Sequence, residues 1–432
     1  MINNRGVVAG EADTSTPCSR GGFVSPAFRW ENGVLTDLGV LPGGCGSLPN
    51  SINSKGMIVG SGDFIDPMTG RPEIRADLRY QGQIINLGTF GGTNSLANDV
   101  NSRGQVVGGA ENTDPDPWNF GGIVGLPSPT AWHGFIWQDG VLRDLGTLGG
   151  PDSFAIVINE TRRVAGFSFT DSTPNSTTGI PTVDPFLWDR GRMTDLGTLG
   201  GSFGFANALN NRGQVVGFSD LAGDLAGHAF SWEGGVLTDI GTFGGNNSTA
   251  NWINGAGQVV GTGDLADGTH HAFVCSKGRI TDLGTVGSDP CSLGFHINSR
   301  GQVIGMSTDC HTFLHAFLWE NGSMIDLSAQ VLPGSAFAFI EPVVINDVGE
   351  ILGNGTLLNG EFHAVLLEPD GPCDSSCEAR IAASQNSVAA PNQIVGNTNT
   401  AVRERSPSTT LERLRSQMRH QYHIPGLGAP RN

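Results

Sequence analysis

Residues 206–245 read ANALNNRGQVVGFSDLAGDLAGHAFSWEGGVLTDIGTFGG, and this stretch is one copy of a unit that fills most of the chain. Its hydrophobic-Asn step recurs with Asn at 3, 53, 101, 159, 210, 254, 298 and 346. An apolar pair and a Gly follow, as in Val215-Val216-Gly217 and Val303-Ile304-Gly305. After a loop of variable length comes a short apolar run, such as AFRW at Ala27, GFIW at Gly134 or AFLW at Ala316. A tight turn then leads to Asp-Leu-Gly or a relative, at Asp37, Asn86, Asp144, Asp195, Asp239, Asp282 and Asp326.

Each unit therefore reads as four short strands. Strand a runs into the Asn, strand b is GQVVG, strand c is the AFxW run, and strand d ends in Asp-Leu-Gly. Asn suits a turn whose side chain bonds its own backbone, and the following Gly supplies the positive φ that tight turns need. Adjacent apolar pairs imply strands covered on both faces. Four short strands cannot bury two apolar faces alone, so the units must pack face to face. A repeat of this length fits one four-stranded blade, and the expected fold is an all-β propeller of seven to eight blades. The first and last units are incomplete: the chain opens inside strand a, and the eighth unit lacks strand d after Leu367.

The array covers residues 1–368. Residues 369–408 are rich in Ser, Asn, Ala and Pro and read as a largely disordered linker. Residues 409–432 carry a capping-box pattern, Thr409-x-x-Glu412, ahead of one short basic helix. Helix is expected only there.

Composition narrows the function. The net charge of −17 disfavours a nucleic-acid partner. No run of apolar residues is long enough for a membrane-spanning helix. In a four-strand meander the b–c and d–a loops share one face. That places Cys18, Cys45, Cys291 and Cys310 together, with Cys18–Cys45 and Cys291–Cys310 as expected bridges. Cys373 and Cys377 form a third candidate pair. Cys275 stands where other units carry Trp, so a buried free thiol is expected. Three bridges suit an oxidising compartment. An export signal is then expected upstream of the sequence as given.

The units resemble the HAF repeat family, named for the triplets at His228-Ala-Phe, His271-Ala-Phe and His315-Ala-Phe. The resemblance spans residues 2–367 and implies an extracellular protein, with no common biochemical activity attached. Asp184-Pro-Phe and the Ala76-Asp-Leu stretch depart from the triplet.

A residue present in every unit is first explained by what every blade needs. The His of the triplet is expected to bond neighbouring backbone, and the Asp of Asp-Leu-Gly to cap a turn. No metal or cofactor site is expected. Candidate binding residues lie outside the pattern. Asp114, Asp116, Trp118 and Phe120 put acids beside aromatics on the longest b–c loop, which is expected to be dispensable for folding. Asp99, Trp252 and His296 occupy one position of strand a that an innermost strand would turn toward an axial channel. The expected role is a monomeric extracellular module that binds a protein or glycan through the long b–c loops of units one to four. A propeller hydrolase or lyase acting on polysaccharide is the alternative, and a structural surface protein without a small ligand is a third.

Overall fold

The computed structural model describes residues 1–331 and 334–369. The linker, the tail helix and the Cys373–Cys377 pair all lie outside the described residues. Within them, the regular secondary structure is almost entirely strand, and the strands form eight antiparallel meanders in chain order. Unit six shows the pattern: strand a is Gly244–Ile253, b Val259–Leu265, c His270–Ser276 and d Arg279–Asp282, each paired with the next. Units four to six are joined at their edges by single parallel bridges, Val183↔Phe203 and Gly227↔Asn247. Unit one pairs only strands b to d, with Ile2 adding one bridge to Val8, and unit eight has only a to c. Among the described residues no helix is long and apolar enough to cross a membrane.

The repeated residues now have physical reasons. The register of strands a and b slips at an equivalent point in each of units two to eight, for instance between Ala250 and Trp252, and a second time in units five, six and eight. A bulge there brings the Gly of strand b against the facing carbonyl. A Cβ at Gly217, Gly261 or Gly305 would sit 2.0 Å from the oxygen of Phe205, Thr249 or Leu293. Only Gly tolerates that approach. The Asn at the end of strand a accepts its own turn's amides on Oδ1, as when Asn254 takes Ala256 and Gln258 at 3.0 Å.

Its Nδ2 does something else: it donates to the backbone oxygen of the equivalent Asn in the next unit. Asn3 bonds Asn53, and the chain of bonds runs on through Asn101, Asn159, Asn210, Asn254 and Asn298 to Asn346, at 2.8–3.2 Å. Asn346 then donates to Asn3 at 3.0 Å, so the ring of eight bonds closes. Consecutive a strands lie side by side along the array.

The core is a set of layers between neighbouring units. Ala208, Val216 and Ala229 of unit five meet Ile253, Val259, Phe273 and Cys275 of unit six. Ile2, Val8 and Phe28 of unit one meet Val344 and Leu352 of unit eight. Strand d is the outer edge, and in unit one its Val34–Asp37 is exposed throughout. Strands b and c carry most of the buried residues and strand d is largely exposed, as sheets packed face to face require.

Both expected disulfides in the described residues are formed, Cys18–Cys45 and Cys291–Cys310, and Cys275 is a buried free thiol. Other expectations change. Two short helices, Phe120–Ile123 and Leu327–Val331, interrupt the array. Unit four replaces the turn Gly with Arg162, which adopts φ 68°. Part of the long b–c segments is additional ladder: in unit two strands b and c run to Ile65 and from Pro72. The register also shifts the triplet of unit two. Arg75-Ala76-Asp77 stands where other units have His-Ala-Phe, because Gly60 faces Asp77 as Gly217 faces Phe230.

Candidate functional site

The unit-three loop leaves strand b at Pro115 and returns at Thr130. Asp116 caps its turn, accepting from Trp118 N at 2.8 Å and Phe120 N at 2.5 Å. Phe120 is fully buried in a cluster with Trp132, Phe154, Phe167 and Phe169, and Trp118 packs against the same cluster. The ring of Phe120 lies 5.1 Å from Phe169 and 5.5 Å from Phe167. Asp114 is exposed, and its amide donates to Asn112 Oδ1 at 2.8 Å. The loop folds inward because its aromatics fill the gap between units three and four. An exposed aromatic contact is therefore not what Phe120 offers, and the loop is a packed plug rather than a dispensable excursion.

Beneath that plug lies a group the sequence did not single out. Asp152 is fully buried, accepts Trp132 N at 2.7 Å on Oδ1, and has no partner on Oδ2. Burial pushes its pKa up to about 8. The indole nitrogens of Trp118 and Trp132 are likewise buried without a partner.

Asp99, Trp252 and His296 do not form an acid–base pair. Asp99 ties three units together, accepting Ser51 Oγ at 2.8 Å and the amides of Val100 at 2.8 Å and Ile158 at 3.0 Å. Its oxygens are committed to structure. Trp252 stacks on His296 with centroids 4.4 Å apart and stays 37% exposed. Desolvation drives the His296 pKa down to about 4, so it is neutral near pH 7, and its Nδ1 lacks a partner. Equivalent positions of adjacent units touch in both cases, Asp99 with Ser51 and Trp252 with His296.

The triplet His was expected to bond backbone, but its first partner is a carboxylate. His133, His228 and His271 each direct Nδ1 at the Asp of Asp-Leu-Gly in their own unit, Asp144, Asp239 and Asp282, at 2.7–3.0 Å. The same Asp caps its turn, as when Gly241 N donates to Asp239 at 2.7 Å. His133 also reaches backbone, at Pro151 O, 3.2 Å away. Unit seven differs: His315 meets Asp289 at 2.8 Å. In unit four the His is Asp184, buried at 8% exposure and facing Asp195. Burial first, and the Asp195 charge second, raise the Asp184 pKa to about 7. In unit two the Phe and Trp of strand c are Asp77 and Arg79. They form a buried two-pronged ion pair at 2.9 and 3.0 Å, with Arg79 also donating to Gly39 O. No group of three or more metal-ligating side chains occurs among the described residues.

Units one and two present a different surface. Cys18–Cys45 ties the unit-one loop to the following d–a loop, and Arg20 bridges to Asp63 of unit two at 2.5 Å. On that frame Phe23 is 57% exposed, and Met68 at the tip of the unit-two hairpin is 93% exposed. Local pattern does not single out these two, since exposure of a side chain depends on where its loop folds.

No family model and no curated protein matches this chain. Among solved structures it is similar to an acylaminoacyl peptidase from Pyrococcus horikoshii, at 11% identity and TM-score 0.43, over 81% of this chain and 56% of that one. It is similar to puromycin hydrolase at 13% identity and TM-score 0.45, over 85% and 51%. TolB from Acinetobacter baumannii follows at 11% and 0.33, over 70% and 78%. The chain spans about half the length of the first two. The fold rests on the ladders and the asparagine ring, not on these likenesses.

Proposed function

We propose that this chain is an eight-bladed β-propeller of the HAF-repeat type that serves as an extracellular binding module, engaging a protein or glycan through the b–c face of units one and two. The observation that carries the reading is the pair Phe23 and Met68: apolar side chains held in water on loops braced by a disulfide and an ion pair. Bracing a loop in its exposed form lowers the ordering cost of binding. Eight blades are supported by the closure of the asparagine hydrogen bonds from unit eight to unit one. Two disulfides support an oxidising compartment. The alternative of a polysaccharide hydrolase or lyase finds no support in Asp99, whose oxygens are bonded within the fold.

The test is an array of secreted proteins and purified polysaccharides probed with the parent and with a Phe23→Ser/Met68→Ser variant. A partner of the parent should lose at least tenfold in affinity for the variant, while the melting temperature stays put. A variant that binds every parental partner as well as the parent does would remove this surface from consideration.

A further inference from the structure

We infer that the opposite face carries a second site, a cleft between units one and two that takes the acidic sugar residue of a polysaccharide. The a–b turns surround the axis on this face, held in their ring by the asparagines. Two residues beyond the ring Asn stand Arg5, Lys55, Arg103, Arg212 and Arg300, all exposed. The turn does not need a base there. Ala256 and Val348 hold the position in units six and eight with the same amide bond to Asn Oδ1, at 3.0 and 3.2 Å. Among the described residues no carboxylate pairs with Lys55, Arg103, Arg212 or Arg300, in a chain of net charge −17. Glu160 and Asp347, the acids of the same turns, are occupied by the amides of Ser102 and Ser299 at 3.0 and 2.8 Å.

From this ring a cleft of about 450 Å³ runs outward between Arg5 and Arg29 of unit one and Lys55, Tyr80, Gln81 and Gln83 of unit two. Arg79 also lines it but is spent on Asp77. Arg5 and Arg29 share Glu31, and Asp37 forms part of the wall. Four cations thus meet three carboxylates, a surplus of one positive charge, and Lys55 is the one cation of the four with no carboxylate partner. That suits a single carboxylate. Tyr80 gives an aromatic body against which a pyranose can lie, and the glutamines give the donors and acceptors its hydroxyls need. A long polyanion is disfavoured, because Glu31, Glu233 and Glu320 close the strand-c ends on the same face. A uronic acid residue therefore fits the cleft better than nucleic acid does.

The test is calorimetry with trigalacturonate as the probe, against maltotriose and inorganic sulfate. Trigalacturonate should bind, and added salt should weaken it. Lys55→Gln, an exposed turn change, should cost at least tenfold, and Tyr80→Ala a similar factor at unchanged circular dichroism. Lys277→Gln, on a distant c–d turn, should match the parent. The Phe23→Ser/Met68→Ser variant should also bind normally, which separates this site from the loop surface. The inference is overturned if maltotriose binds as well, if sulfate alone competes at equal concentration, if single-stranded DNA binds more tightly, or if Lys55→Gln has no effect.

Discussion

The b–c segments of units one and three leave the same face and do opposite things. The unit-three loop turns Phe120 inward until it is fully buried. The unit-one loop is a small hairpin, with Thr14 N bonded to Val24 O and Cys18 N to Gly22 O, and it leaves Phe23 in water. One loop gets its order from apolar packing and the other from a covalent tie. Loop length alone therefore says nothing about whether a loop serves a partner or the core. What separates the two is where the aromatic goes.

The largest expected effect comes from removing the plug. Deleting Asn112–Gly122 should abolish cooperative thermal unfolding near the parental temperature, because it strips Phe120 from the unit three–four layer. A deletion variant that melts like the parent would make the two loops equivalent after all. Next, Phe120→Ala should cost about 3–5 kcal/mol by denaturant unfolding, as a large buried side chain does, whereas Phe23→Ser should stay within about 0.5 kcal/mol, as exposed positions do.

The covalent tie is the third lever. Replacing Cys18 and Cys45 together by Ala opens a crosslink spanning 27 residues. The chain-entropy relation puts its worth at about 3.5 kcal/mol at most. Limited proteolysis should then cut between Thr14 and Gly22 first. Unchanged resistance there would mean that backbone bonds, not the disulfide, order the loop.

The last lever is a pH slope. Asp152 beneath the plug has its folded pKa raised to about 8, so the folded state holds a proton that the unfolded state releases near pH 4. Folding stability is thus full below about pH 4 and falls as pH rises toward 8. Asp152→Asn should flatten that decline and leave stability at pH 4 nearly unchanged. Asp184, raised to about 7, contributes a decline of the same sign, so a residual slope should persist. An unaltered slope would show that Asp152 is already neutralised by a neighbour.

Much of the fold was legible in the chain, and the reason is redundancy. Asn at eight equivalent positions and Gly after each apolar pair could only be explained by something every unit needs. The disulfides followed as well, since strand order alone puts Cys18 near Cys45 and Cys291 near Cys310. The departures were harder. Asp77 and Arg79 look like surface residues in sequence, yet register carries them into the positions of Phe and Trp, and each becomes tolerable there only because it has the other. The candidate sites fared unevenly. Trp252 and His296 do stack on each other, whereas Asp99 proved to be a strut and Phe120 a core residue.

The sequence by itself determined the unit, its strands and its turns, because those depend on local spacing: an Asn that bonds its own turn, a Gly with no Cβ, an alternation of apolar pairs. It could not determine which side chains end up in water. That choice belongs to the contacts between units. The asparagine ring, the His–Asp pairing across strands c and d, the burial of Phe120 and the exposure of Phe23 and Met68 each join residues that local pattern treats as independent. Only the stacking of one sheet against the next sets the distance between them, and that distance decides whether a polar or aromatic group is a strut, a plug or a contact.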